Sequence, residues 1–133
     1  MIPVEGGVVQ AAALAFCALL AGLAVFQAAL IAGAPLGHLA WGGRDRVLPR
    51  GKRIGSVVSI ALYLVFALIV LSRAELVTTF PGAFAAVAAW VLVAYFLLGV
   101  ALNAASRSRP ERRTMVPLSL ALTVLTLVVA LGG

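Results

Sequence analysis

Four long apolar segments, none of which contains Asp, Glu, Lys, Arg or His, occupy most of this chain. They cover residues 8–33, 54–71, 82–103 and 115–131. A helix needs about 20 residues to cross a bilayer, with a range of about 17 to 25. A lone segment in hydrocarbon must satisfy its own backbone hydrogen bonds, and these segments lack the apolar–polar alternation of strands. The pattern predicts an all-α, polytopic membrane protein, a single-domain bundle of four transmembrane helices.

The composition excludes an ordinary water-soluble domain. Of the 133 residues, 64% are hydrophobic and 11% are charged, whereas a soluble domain is about half apolar and about a quarter charged. A domain of this size has too much surface per unit volume to hide such an excess in its core. We therefore expect lipid to surround much of the chain.

The basic residues predict the orientation of the bundle. Nine of them lie in two links, residues 34–53 and 104–114, and Arg73 lies alone on the opposite side. Because basic residues concentrate in cytoplasmic loops, we expect both links in the cytoplasm and both termini outside it. The clusters lack the interleaved aromatic residues that stack on bases. The predicted partners are therefore anionic lipid headgroups rather than nucleic acid.

Several local signals predict where the helices begin and end. The leader MIPVEGG has no basic residue, and the run after it is too long for a signal-peptide core, so we expect a retained span. Pro35 is expected to close the first helix because proline lacks a backbone N–H donor. Pro81 suits the first turn of the third helix, and Pro117 is expected in the first turn of the fourth.

Small and polar side chains indicate how the helices associate, because apolar contacts alone do not bring helices together in lipid. The first segment has a stripe of small residues, which predicts a close contact between helices. Each other segment has one mildly polar face, which we expect to point into the bundle. The stripe is Ala11, Ala15, Ala18, Gly22, Ala29 and Gly33, and the faces are Ser56, Ser59 and Tyr63; Tyr95, Gly99 and Asn103; and Ser119, Thr123 and Thr126.

The polar residues gather in the half of the bundle nearest the basic links, which predicts a small cavity open to the cytoplasm. A buried amide or hydroxyl needs a hydrogen-bond partner, because an unpaired one costs free energy. Two interpretations remain open: these groups only link helices or bond to their own helix, or they bind a ligand. The candidate ligand-binding residues are Gln27, His38, Trp41, Ser59, Tyr63, Asn103 and Arg107.

The sequence shows no established catalytic or metal-binding motif. No nucleophile elbow, phosphate loop or dinucleotide fingerprint is present. His38 is of the type most often used for proton transfer, but a general base needs a partner and a substrate within reach. The nearest acid in sequence is Asp45, and Cys17 with His38 does not make a ligand set. We predict no catalytic residue, no metal and no cofactor.

Three hypotheses for function follow. The first is a non-enzymatic membrane module that binds a small or lipid-like ligand, or a partner, through the cytoplasmic polar half of its bundle. The second is an accessory subunit of a larger membrane complex, whose small-residue stripe packs against a partner. The third is a membrane enzyme that acts on a lipid, with His38 as acid or base. We also expect that the chain can form homo-oligomers, since four short helices make a thin core.

Two runs of sequence resemble a group of known proteins. The first run is GAPLGHLAWGG (residues 33–43), followed by VLP, Lys52-Arg53 and Ser56, and the second is LNAASRSRPERR (residues 102–113). Both are similar to short bacterial four-span membrane proteins with no assigned function. The resemblance covers the first link and the end of the third segment. It implies a bacterial inner-membrane protein, and it carries over no catalytic residue.

Overall fold

The computed structural model describes residues 5–132, and the first four residues of the leader lie outside the described part. The described residues form four α-helices and no strand, and each helix is long and apolar enough to cross a membrane. This confirms the predicted all-α, four-helix architecture. The helices are α1 (Gly6–Ile31), α2 (Arg50–Arg73), α3 (Gly82–Ala104) and α4 (Arg109–Leu131).

The four helices form a ring in which α1 and α3 each pack against both α2 and α4. Near the ends of α2 and α4, Arg73 Nη2 donates to the carbonyl of Ala130 at 2.7 Å. At the start of α4, the Ser108 hydroxyl donates to the carbonyl of His38, which follows α1. Consecutive helices therefore run antiparallel. The link between α1 and α2 and the link between α3 and α4 lie together at one end, which we call the basic end.

Phenylalanine rings from three helices form the centre of the core. The ring centroid of Phe96 lies 5.6 Å from that of Phe16 and 5.7 Å from that of Phe66, both edge-on. This edge-to-face arrangement is favourable for aromatic rings. Leu122 and Val129 of α4 are buried against the same cluster, so all four helices share one core.

The charged ends of the helices extend beyond the apolar segments. Helix α4 begins at Arg109 because Ser108 caps it, accepting a hydrogen bond from the Glu111 amide at 3.3 Å, and Pro110 lies in its first turn. Pro117 therefore lies inside α4, and the expectation that it falls in the first turn is wrong. The fourth apolar segment begins at residue 115, and counting from there places Pro117 in the first turn. The helix itself begins at Arg109, because its cap and a charged first turn precede the apolar segment.

Four of the six residues of the small-residue stripe of α1 face outwards rather than into the bundle, while Ala29 and Gly33 are half-buried. Ala11, Ala15, Ala18 and Gly22 are exposed, and nothing lies within 4 Å of the position a Gly22 Cβ would take. The face that enters the bundle carries larger side chains, Phe16 among them. Large side chains such as Phe16 give more van der Waals contact than small ones do, so for these four outward-facing residues the predicted close contact is wrong within a single chain.

The polar faces of α2 and α4 point into the bundle as expected. Ser56, Ser119, Thr123 and Thr126 are buried. The hydroxyls of Thr123 and Thr126 donate to the carbonyls four residues earlier in α4, at 2.8 and 2.7 Å. On α3 the outcome is mixed, since Tyr95 is 50% exposed. Much of the polarity of α4 is thus satisfied within the helix itself.

The link between α1 and α2 folds back over the basic end. It contains two short 3₁₀ helices, Gly37–Leu39 and Trp41–Gly43, which contact α4. The Gly37 amide donates to the carbonyl of Arg46 at 2.9 Å, which closes the link on itself. Leu48 is buried and anchors the link before α2 begins. The link is therefore a packed cap on the bundle rather than a free loop.

Candidate ligand-binding cavity

A cavity of about 360 Å³ lies in the half of the bundle nearest the basic end, between the helices and the folded link. Its walls are mainly apolar and aromatic, with a few polar groups. Five of the seven sequence-predicted residues line it: Gln27, Trp41, Ser59, Tyr63 and Asn103. The other lining residues are Leu23, Phe26, Leu39, Ala40, Tyr95, Phe96, Leu98, Gly99, Leu102, Glu111, Met115, Leu118, Ser119 and Leu122.

One wall of the cavity carries a hydrogen bond between α1 and α2. Gln27 Nε2 donates to Tyr63 Oη at 3.1 Å. Because the phenol oxygen accepts this bond, the phenol proton is left to donate elsewhere. The side-chain oxygen of Gln27, Oε1, is left to accept. No partner for either group occurs within residues 5–132. The pair links two helices and still offers one donor and one acceptor to a ligand.

A second wall carries the corresponding contact between α3 and α4. Asn103 Nδ2 donates to Ser119 Oγ at 3.2 Å, and Ser119 Oγ donates to the Met115 carbonyl at 2.6 Å. The side-chain oxygen of Asn103, Oδ1, accepts no hydrogen bond from a described residue. The two amide side chains, Gln27 and Asn103, therefore lie on opposite hairpins of the bundle and both face the same cavity.

Trp41 covers the cavity from the side of the folded link. A Cβ added to Gly55 would lie 2.7 Å from Trp41 Cζ2, so only glycine at this position of α2 lets the indole approach so closely. Trp41 itself has a φ of 53°, and Gly42 and Gly43 follow with φ of 77° and 76°. Such left-handed backbone suits glycine and is unusual for tryptophan. The turn is thus held in a strained conformation that places the ring at the cavity.

His38 and Arg107 do not line the cavity. Both are exposed at the basic end. His38 lies in the 3₁₀ turn Gly37–Leu39, and the next residues, Leu39 and Ala40, line the cavity, whereas Arg107 lies in the link between α3 and α4. The His38 imidazole forms no hydrogen bond with any described residue. Asp45, the nearest acid in sequence, is instead in an ion pair with Lys52.

The structure adds one residue that sequence reasoning missed. Glu111 is only 7% exposed and lines the cavity from the first turn of α4. Its position between the third and fourth apolar segments gives no indication that it enters the bundle. The spacing Ser108-x-x-Glu111 is that of a helix N-terminal capping box, and Glu111, Met115 and Ser119 recur every four residues. Those two signals would have placed the carboxylate on the cavity face of a helix.

Comparisons with protein-family models, with curated proteins and with solved structures give no match to this chain. The resemblance to short bacterial four-span proteins stays a prediction. Within residues 5–132 no cluster of three His, Cys, Asp or Glu side chains could hold a metal ion. What the cavity offers is an apolar chamber, two amides, hydroxyl groups and one carboxylate.

Proposed function

We propose that this chain is a non-enzymatic membrane module that binds a small, lipid-like ligand in the cavity at its basic end. The observation that supports this most directly is the cavity itself, about 360 Å³ in volume. Ligand pockets usually measure about 300–1,000 Å³ and combine apolar walls with a few placed polar groups. Here aromatic and aliphatic side chains supply the walls, and Gln27 and Asn103 supply amides that would fix the orientation of a ligand.

The second part of the proposal concerns the membrane and the orientation. We place the chain in a bacterial inner membrane, with the basic end in the cytoplasm and both termini outside it. Nine basic residues lie at the basic end and only Arg73 lies at the other, and such a bias marks cytoplasmic loops. The cavity would then open near the cytoplasmic leaflet, where exposed Arg44 and Arg107 can contact anionic headgroups.

The cavity can be tested by filling it. Gly99 lines the cavity, and nothing lies within 4 Å of the position its Cβ would take, so the first carbon of a Gly99→Phe side chain has open space and its ring can occupy the cavity volume. Gly22→Phe is the matched control, because Gly22 also has open space but lies on the outer face of α1. Native mass spectrometry of the purified protein would report the retained lipid-like adducts.

We expect the unmodified protein and Gly22→Phe to retain the same adduct and Gly99→Phe to lose it. An adduct that survives equally in all three would show that binding occurs outside the cavity. A melting curve for each variant would confirm that all three are folded.

One observation favours a second candidate, an accessory subunit of a larger complex. The exposed stripe on α1 presents Ala11, Ala15, Ala18 and Gly22 on one face, and small residues permit close approach of helices in lipid. Replacing Ala15 and Gly22 with leucine should release a partner helix if one docks there. Purification of a stable, ligand-bearing monomer or homo-oligomer that is unaffected by these changes would exclude the subunit. No observation favours the enzyme hypothesis, since His38 lies outside the cavity.

A further inference from the structure

The Glu111 carboxylate holds an unusual position. It lies on the first turn of α4, is more than nine-tenths buried, and lines the cavity together with Asn103 and Ser119. The folded link closes over the same region through Leu39 and Trp41. The chain thus places a single acid at the basic end of a chamber that is otherwise apolar or neutral.

No basic side chain pairs with this carboxylate. Within residues 5–132 the ion pair is Lys52–Asp45, and no hydrogen bond to the Glu111 carboxylate occurs. Two guanidinium groups of the basic end donate to backbone carbonyls instead: Arg53 Nε to Leu48 at 2.7 Å, and Arg112 Nη1 to Ser106. Neither carboxylate oxygen is fully enclosed by protein, so the carboxylate is open to the cavity that Glu111 lines and is free to take a charged partner there.

The usual structural role of glutamate at this position is also not fulfilled. In a capping box, the carboxylate three residues after the cap accepts the backbone N–H of the capping residue. Here the Ser108 N–H donates to Ser106 Oγ at 3.1 Å, so that donor is already used. The positive end of the helix dipole favours a negative charge at this turn, but it supplies no hydrogen-bond partner for the carboxylate. Helix formation alone does not account for the burial of Glu111.

We infer that the ligand of this cavity carries a positive charge, as an ammonium group attached to an apolar chain or ring, and that its charged group pairs with Glu111. The inference rests on the proposed function and specifies the class of ligand. The apolar part would lie among the rings that line the cavity, and a cation near aromatic faces gains a further attraction. These rings are Phe26, Trp41, Tyr63, Tyr95 and Phe96.

The positive charge of the basic end does not oppose this assignment. Arg44, Arg107, Arg109 and Arg113 are exposed, so water, salt and lipid phosphates screen them within about 8 Å at physiological ionic strength. Glu111 is buried, and screening there is much weaker. A cation that enters the cavity therefore interacts mainly with the carboxylate.

The test compares two probes with the same alkyl chain, of which one is charged and one is neutral: dodecylamine, which is protonated at pH 7, and dodecanol. Each is titrated into the intact protein at a fixed detergent concentration, so that partitioning into micelles is the same for every variant. Trp41 fluorescence in a Trp90→Phe background reports occupancy, because Trp41 lines the cavity. The variants are Glu111→Gln and, as matched control, Glu75→Gln, which changes an exposed glutamate at the opposite end.

We expect the unmodified protein to bind dodecylamine about tenfold more tightly than dodecanol, the size of effect that a hydrogen bond to a charged group gives. Glu111→Gln should remove that preference and leave dodecanol binding unchanged, whereas Glu75→Gln should change neither. Equal binding of the two probes by the unmodified protein overturns the inference, and this comparison does not depend on whether Glu111→Gln folds. If the two probes bind equally and Gly99→Phe abolishes the binding of both, the charge inference fails and the proposed function survives. If neither binds and no adduct is retained, both proposals fail.

The ammonium group could belong to a free amphiphile or to a lipid headgroup. Nanodiscs made with phosphatidylethanolamine or with phosphatidylglycerol separate these sources by native mass spectrometry. Retention of phosphatidylethanolamine that Glu111→Gln abolishes would assign the headgroup as the source. Binding of dodecylamine without such retention would assign a free amphiphile, and both results support the shared chemistry.

Discussion

The side-chain hydroxyl of Ser108 donates a hydrogen bond to the backbone carbonyl of His38, 70 residues earlier in the chain. The same serine caps α4 by accepting from the Glu111 amide at 3.3 Å. One hydroxyl therefore joins the two basic links and starts the helix that carries the cavity carboxylate. Gly43 lies against it so closely that an added Cβ would sit 2.5 Å from Ser108 Cβ.

Replacing Ser108 with alanine should destabilise the basic end. The loss of a helix cap alone costs about 1 kcal/mol, and the His38 carbonyl also loses its donor. Ser108→Thr keeps a hydroxyl that can cap and should fall between the alanine variant and the unmodified protein. Thermal unfolding in detergent measures the effect, and Thr79→Ala, an exposed position in the opposite link, is the control. Equal stability of Ser108→Ala and the unmodified protein would contradict the assigned role.

Gly37→Ala should disrupt the folded link. An added Cβ would lie 1.7 Å from the backbone carbonyl oxygen of Asp45, and backbone cannot move aside as a flexible side chain can. Forcing an extra carbon into such a packed site costs about 1–3 kcal/mol or more. Gly51→Ala is the matched control: it has open space and lies in the first turn of α2, where alanine is a better helix former.

Two measurements test the Gly37→Ala and Gly51→Ala variants: the rate of limited proteolysis within the link and the unfolding temperature of each variant. We expect faster cleavage within residues 37–46 for Gly37→Ala and no acceleration for Gly51→Ala. Equal cleavage of the two variants would mean that the link is not packed as described.

The helices could be predicted from sequence because the bilayer leaves few alternatives. A long apolar segment in hydrocarbon must be helical to satisfy its backbone, so the four segments alone specify the fold class. The depth of Gln27 and Asn103 along their segments was likewise enough to predict that both face one polar half of the bundle. The structure places both at the same cavity.

The features that the sequence did not predict depend on which face of each helix points into the bundle. The stripe of Ala15 and Gly22 would suit a close contact, yet Phe16 faces the core and turns the stripe outwards. Glu111 was missed for a related reason, since its direction depends on where α4 begins. His38 is among the predicted ligand-binding residues, but it lies in a 3₁₀ turn outside the cavity and is exposed.

The hydrogen bond between Gln27 and Tyr63 should couple α1 and α2 energetically. In a double-mutant cycle of Gln27→Leu and Tyr63→Phe, we expect a coupling of about 0.6 kcal/mol, the average for interhelical hydrogen bonds in a membrane protein. Reversible unfolding in mixed micelles gives the free energy of each variant. Pairing Gln27→Leu with Tyr95→Phe is the control, because that change also removes a phenol hydroxyl at the cavity but no bond joins Tyr95 to Gln27. A coupling as large in the control cycle would show that the effect does not come from the hydrogen bond.

The orientation of the bundle is open to direct labelling. In a Cys17→Ala background, single cysteines at exposed Arg44, Arg107 and Thr78 would report the two ends of the bundle. The basic links are expected in the cytoplasm, because translocating their nine positive charges is disfavoured. Arg44→Cys and Arg107→Cys should therefore resist a membrane-impermeant maleimide in intact cells and react after lysis, whereas Thr78→Cys should react in intact cells. The reverse pattern would invert the bundle and open the cavity towards the outer leaflet, and reaction of Arg44→Cys without Arg107→Cys would contradict the pairing of the two links at one end.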